Sequence, residues 1–277
     1  LTLEERLNII TDKVLKTLGK QKDNIIVIKD KEAFDDYVKK AITSGRIDID
    51  TETNNSTDPV TCKLMGPCFY YPGGKQAYVP INHRDYKTKK RLDWQLTEAD
   101  VAEQLKQIVD SKIDIIMHNG KFDYEVLKCT CGVEVVPKWD TLIAARLIDE
   151  NTFKDSFVSL KSMYTTYIDP EQEKYSIDEL FENIAYADVD PDIFAYYAAT
   201  DALMTDKVYL WENETFYSKP ENKRVKDLFF NIEMPILQVT AEIELRGVYI
   251  DQELGARLKQ KYNKQLEDLD KEINKIL

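Results

Sequence analysis

Histidine is almost missing from this chain: His83 and His118 are the only 2 in 277 residues. Cysteine is scarce too, with Cys62, Cys68, Cys129 and Cys131 making up all 4. Their spacings fit neither a zinc ribbon nor a zinc finger, and two histidines add little to such a site. Reduced thiols are the favoured reading, with a cysteine cluster holding a metal as the alternative. No run of about 18 apolar residues occurs, so no transmembrane helix is expected, and no signal peptide is visible. Positive charge is short: 38 Lys and Arg stand against 50 Asp and Glu, for a net charge of −12. Phosphate affinity comes mostly from Lys and Arg, so tight nucleic-acid binding by this piece alone is not expected. Internal repeats and low-complexity tracts are absent as well. What is present is a 43% hydrophobic content over a length that can bury a full core, which predicts one large domain plus a fragment. The first residue is Leu1 rather than Met, and the chain is read as a piece of a longer protein.

Three segments carry chemistry. Residues 48–52 read Asp-Ile-Asp-Thr-Glu at the end of an apolar run. Alternation along a strand puts Asp50 and Glu52 on one face, a pleat apart. Carboxylates held that close repel, which folding alone does not reward, and such a pair suits a divalent cation. A solvated strand edge is the plainer alternative. Ile113–Met117 reads as a buried strand, Asn119-Gly120 as a turn, and Lys121 onward as a helix with Asp123 in its first turn. Ligand sites in open α/β sheets lie beyond the carboxyl ends of strands, although an Asp at a helix start can simply favour the dipole. From Asp190-Pro191 a third helix begins, in which Tyr197 and Asp201 are one turn apart on the same face. Small neighbours (Ala195, Ala198, Ala199, Ala202) allow it close approach to a sheet.

The rest of the chain alternates between the two periods. Leu3, Leu7, Ile10, Val14 and Leu18 form a helical stripe ended by Gly19. A strand is expected over Asn24–Ile28, a helix over Lys31–Thr43, two strands over 60–81 joined at Pro72-Gly73-Gly74, and a helix opened by Thr97. Further helices are expected over Asp140–Ile148, Ser159–Tyr164 and Ile177–Asn183, with a loop over 165–176. Lys219–Asn222 breaks the helical pattern and is taken as a domain boundary, giving 1–220 and 221–277. A long helix over Val225–Arg246 should kink at Pro235 and end at Gly247. Leu254, Leu258, Tyr262, Leu266, Leu269 and Ile273 make a last apolar stripe.

Together, Asp50-Thr51-Glu52-Thr53, Asn119-Gly120-Lys121-Phe122-Asp123 and Tyr197-Ala-Ala-Thr-Asp201 resemble the three motifs of the DnaQ-like 3′–5′ exonuclease superfamily, in the subclass with Tyr in the third motif. The stretch Asn231–Asp251 resembles the start of the polymerase domain in family A DNA polymerases of the DNA polymerase I type, and Asp140-Thr141 and Ser159-Leu160 also sit where that family carries helix starts. The resemblance runs from about Asn24 to the C-terminus. Lys, Ile and Asn usage is that of an AT-rich genome, pointing to a phage or prophage enzyme.

The resemblance implies a ribonuclease H-like α/β fold, a mixed sheet of five strands with helices on both faces, followed by helices that begin the polymerase domain. It implies a proofreading activity that hydrolyses the terminal phosphodiester of DNA and releases nucleoside monophosphates. Asp50, Glu52, Asp123 and Asp201 would hold two Mg²⁺ or Mn²⁺ ions about 3.5–4 Å apart, with Asp50 shared. Tyr197 would position the attacking water, and Thr53, Asn119 and Phe122 would contact the 3′ end. Implied partners are a single-stranded DNA 3′ end and the remainder of the polymerase, in the cytoplasm; no membrane and no specific protein partner is indicated. The chain departs from the family pattern at Ser56, where Leu is common, and at His118, where Gln is common. Tyr196 stands where a related subclass uses His, which excludes that variant. Asp48, on the same strand face, is either a group that supports the site from behind or a solvated side chain, the second being favoured. Two rivals remain: a ribonuclease D-like RNA exonuclease, and a catalytically silent scaffold.

Overall fold

The structure is a computed structural model that describes residues 1–54, 56–148, 158–172 and 175–276. It divides into two compact units, Leu1–Ala241 and Glu242–Leu277. The first contains a six-stranded mixed sheet: β1 (Ile25–Val27), β2 (Arg46–Thr53), β3 (Leu64–Tyr70), β4 (Gln76–Tyr78), β5 (Asp114–Met117) and β6 (Trp139–Asp140), in the order β1-β4-β3-β2-β5-β6. β2 pairs antiparallel with β3 and parallel with β5, and β1 and β6 extend the two edges in parallel. The sixth strand beyond the expected five is β6. Two residues are too few to show a period, so Asp140 reads from sequence as a helix start.

Helices cover both faces. On one side α2 (Lys31–Ser44), α3 (Glu98–Ser111) and α4 (Gly120–Cys131) bury Phe34, Val38, Leu105 and Leu127 against Ile47, Ile49 and Phe69 of the sheet. On the other, α1 (Leu3–Leu18) and the motif-three helix set Val14, Phe194 and Ala198 against Met65, Cys68 and Tyr78. Local signals explain the ends. Thr97 and Asp100 form a reciprocal capping box at α3, Asp30 caps α2 through the Ala33 amide, and Gly45 closes it at φ +80°.

α5 (Thr141–Ile148), α6 (Leu160–Tyr167), α7 (Ile177–Phe181) and α8 (Pro191–Glu212) complete the site-bearing part. α6 runs on into the stretch read as a loop over 165–176, of which Glu173 and Lys174 lie outside the described residues. α8 ends at Glu212 and continues as a π turn over Asn213–Tyr217. After a short turn at Pro220–Asn222, α9 (Lys223–Leu228), a π turn (Phe229–Glu233) and α10 (Met234–Arg246) follow one another. The π turn ends two residues before Pro235, whose ring and missing N–H disturb regular helical bonding. In the second unit α11 (Gln252–Ile276) leaves Leu254, Leu258, Tyr262, Leu266, Leu269 and Ile273 exposed. Among the described residues no helix is long and apolar enough to cross a membrane.

Gly66 of β3 faces Glu52 across the ladder. A Cβ there would lie 2.2 Å from the Val79 carbonyl oxygen and 2.8 Å from the Tyr78 ring. Backbone cannot yield as a flexible side chain can, so Gly66→Ala is expected to cost about 1–3 kcal/mol. The check is a lower urea midpoint at unchanged slope; an unshifted midpoint refutes this crowding.

Candidate active site

Ile47 and Ile49 go into the core under α2 and α4, so strand alternation turns Asp48, Asp50 and Glu52 toward α8. Pairing with β5 ends at Asp48, while pairing with β3 continues to Thr53 with an irregularity between Glu52 and Thr53. α4 starts where β5 stops. Asn119 takes the left-handed conformation at φ 59°, and Gly120 packs where a Cβ would meet the Met117 Cβ at 2.7 Å. That tight entry places Asp123, 3% exposed, beside β2. Its Oδ1 accepts a hydrogen bond from the Thr51 hydroxyl at 2.6 Å. α8 brings Tyr197, buried, and Asp201, half-buried, to the same centre.

The electrostatics identify the cluster. Burial pushes the Asp50 carboxyl well above its usual range, and the charges of Asp123, Glu52 and Asp201 add to it, with Lys161 opposing. Glu52 is pushed up to about 8 by burial and then by Asp201. Asp123 is pushed up to about 7 by burial, while the Thr51 hydrogen bond holds it down. Asp201 is raised by burial, opposed by Lys161. The Tyr197 phenol is raised by burial and by Asp201, Glu52 and Asp50. Asp201 Oδ1 is buried with no hydrogen-bond partner among the described residues. Oxygen donors in excess of counter-charge suit hard divalent cations.

A raised carboxylate pKa means that the folded state binds protons more tightly than the unfolded one, so its stability is full below the unfolded pKa and falls as pH rises through the folded one. With Glu52 raised from 4.5 to about 8, metal-free protein is expected to lose stability steadily across that window. Millimolar Mn²⁺ should recover most at the alkaline end, as a cation that binds the native site alone would. Thermal melts in EDTA and in Mn²⁺ across the window measure both; a flat profile with no Mn²⁺ shift overturns the expectation.

Some expected residues fall elsewhere. Asp48 is not solvated: it is fully buried, and neither carboxylate oxygen has a hydrogen-bond partner among the described residues. α8 covers it, setting Asp206 nearby; burial and that charge push its carboxyl well up, against Arg46 and Lys207. The Thr53 hydroxyl donates to the Ser56 carbonyl at 2.8 Å, and Phe122 packs partly buried against the core. Asn119 lines a cavity of about 520 Å³ together with His118, Arg146, Ser159, Lys161 and Asp201.

Two contributors escape a sequence reading. Lys161, next to Ser159-Leu160, donates to the Tyr197 hydroxyl at 3.1 Å, lies 3.4 Å from Asp201 Oδ2 and sits 4.2 Å from the Tyr197 ring centre. Asp140 accepts from the amides of Asn119 at 3.2 Å, Gly120 at 2.7 Å and Leu142 at 2.8 Å, so one carboxylate ties the starts of α4 and α5 together. Its Asp-Thr context was visible, but its bonds to α4 were not.

A mixed sheet with helices on both faces and acidic side chains at the end of its central strand is the ribonuclease H-like nuclease fold. The Pol1 POL domain of M. smegmatis in complex with DNA primer-template and dNTP superimposes with a TM-score of 0.58 at 14% identity, over 88% of this chain and 36% of that one. Brucella melitensis NrnC bound to pGG gives 0.52 at 20% identity over 80% and 92%, and Escherichia coli RNase D, an exoribonuclease, 0.51 at 19% over 79% and 51%. Residues 25–211 match the 3′–5′ exonuclease family of DNA polymerase A, and the chain belongs to that family. DNA polymerase I of Borreliella burgdorferi is 30% identical over 90% of this chain and 26% of its own length. That of Chloroflexus aurantiacus is 25% identical over 90% and 25%, so the chain spans about a quarter of these relatives.

Proposed function

We propose that this chain removes nucleotides one at a time from a single-stranded DNA 3′ end, as the proofreading part of a family A DNA polymerase. The observation that carries this reading is the gathering of Asp50, Glu52, Asp123 and Asp201 from three elements into one site where burial pushes every carboxyl up and the neighbouring carboxylates add to it at Asp50 and Glu52. These four side chains would hold two Mg²⁺ or Mn²⁺ ions, which would supply Lewis acidity at the reacting phosphate. Tyr197 stays protonated far above neutral pH, so it orients the attacking water by hydrogen bonding and does not act as a free base. The Lys161 ammonium fixes the Tyr197 oxygen and offsets part of the acidic charge. Asn119, beside the cavity, contacts the terminal nucleotide, with Thr53 and Phe122 at the edge of that contact. Residues 1–220 form the exonuclease part and the segment from 221 begins the polymerase part, in a cytoplasmic enzyme.

The test is release of mononucleotides from single-stranded DNA labelled at either end, in saturating Mg²⁺, with a matched RNA alongside. Ordered shortening from the 3′ end on DNA is expected. Tyr197→Phe should retain measurable activity at a reduced rate, since both cations remain. Wild-type rates equal to background on DNA would leave only a scaffold, and preference for RNA would favour a ribonuclease D-like role. The DNA polymerase I relatives of Borreliella burgdorferi and Chloroflexus aurantiacus favour DNA.

A further inference from the structure

The acidic face of β2 has a neighbour that the carboxylate reading leaves unused. Cys68 of β3 is the direct partner of Asp50 in the antiparallel register, so the two side chains leave the same face of the sheet. Its Sγ, one oxygen of Asp50 and one of Glu52 all lie within 4.8 Å of one another. Cys68 is fully buried and Glu52 is 8% exposed. Among the described residues, no hydrogen bond or ion pair reaches the carboxylate of Glu52. Glu52, more than nine-tenths buried, thus sets a carboxylate oxygen within 4.8 Å of the thiol, where the charge of Lys161 opposes its own.

We propose that Cys68 joins Asp50 and Glu52 as a ligand for soft or borderline divalent cations, Zn²⁺ or Cd²⁺, which bind here in place of Mg²⁺ or Mn²⁺. This rests on the reading of Asp50 and Glu52 as cation ligands. Oxygen-only donor sets favour hard ions, and one thiolate turns the preference toward soft ones. The spacing suits it: sulfur at about 2.3 Å and oxygen at about 2.1 Å from a tetrahedral ion stand roughly 3.6 Å apart, a separation that small side-chain rotations reach. On binding, the S–H bond breaks, its proton passes to water and a sulfur–metal bond forms, with no change of oxidation state. A soft ion so held occupies Asp50 and Glu52 and blocks hydrolysis until a chelator removes it. The plainer role for Cys68 is a small apolar side chain packed with Met65 and Tyr78, and that role puts no sulfur on a metal.

Cd²⁺ titration of the full chain separates the two, read by thiolate-to-Cd²⁺ charge-transfer absorption in the ultraviolet. The band should appear in the wild type and in Cys129→Ser/Cys131→Ser, and vanish in Cys68→Ser. Cys68→Ala, which buries no new hydroxyl, should lose it as well. Cd²⁺ binding in both Cys68 variants should weaken about tenfold or more, since losing a ligand costs at least what losing a supporting group does. A thermal shift with Mn²⁺, measured in parallel, keeps the two readings apart. If Mn²⁺ stabilises the chain but the band is absent, or survives in Cys68→Ala, Cys68 is packing alone and the carboxylate site stands. If neither ion binds, the cation reading of Asp50 and Glu52 falls and takes this proposal with it.

Discussion

Asp50→Asn should slow mononucleotide release by roughly a thousandfold or more, equivalent to about 4 kcal/mol or more of lost transition-state stabilisation. Asp50 is the one carboxylate whose charge meets Asp123, Glu52 and Asp201 together, so the amide disturbs every cation contact. Asp48→Asn is the control. Asp48 shares the strand face but answers to Asp206, Arg46 and Lys207, and it should keep most of the rate. Single-turnover rates on labelled single-stranded DNA decide the matter. If Asp48→Asn were as slow as Asp50→Asn while Glu52→Gln stayed fast, the first motif would be misread by one pleat.

The second large effect concerns stability. Arg46 forms an ion pair with Asp206 and lies 4.8 Å from the Tyr209 ring centre. Asp206 is nearly buried, with its side chain 2% exposed, and Arg46 is 18% exposed. Arg46→Met leaves Asp206 and Asp48 together in one buried space, with Lys207 at 3.4 Å from Asp206 as the remaining cation. Breaking such a pair from one side costs about 3–5 kcal/mol, whereas replacing both partners with packed apolar groups is often nearly neutral. Arg46→Met should therefore fall in that range in urea denaturation, and Arg46→Met/Asp206→Leu should recover most of the loss. A double variant no better than the single one would show that the charges are not coupled.

Much of this was legible in the sequence, for identifiable reasons. Asp50, Glu52, Asp123, Tyr197 and Asp201 fall in ordered motifs, and period-2 and period-3.6 patterns located the strands and helices around them. Asp48 was misjudged because alternation gives its direction but not what covers it, which α8 decides from far along the chain. Lys161 escaped for the same reason, since its place depends on where α6 docks. The Thr51 hydroxyl bond to Asp123 crosses from strand to helix and leaves no mark on either segment. β6 is two residues long, too short for any period to show.

The unequal pairing of β2 divides the rigidity of the centre. On the β3 side, the ladder continues past Asp50 and Glu52, so these two are held by main-chain bonds on a paired strand. On the β5 side, pairing stops after Asp48, and Asp123 stands on a helix start held by Asp140 and by the Thr51 hydroxyl. One wall of the cleft is thus fixed by sheet hydrogen bonds and the other by side-chain hydrogen bonds, so a substitution at Asp140 or Thr51 should loosen Asp123 while leaving Asp50 and Glu52 on their ladder.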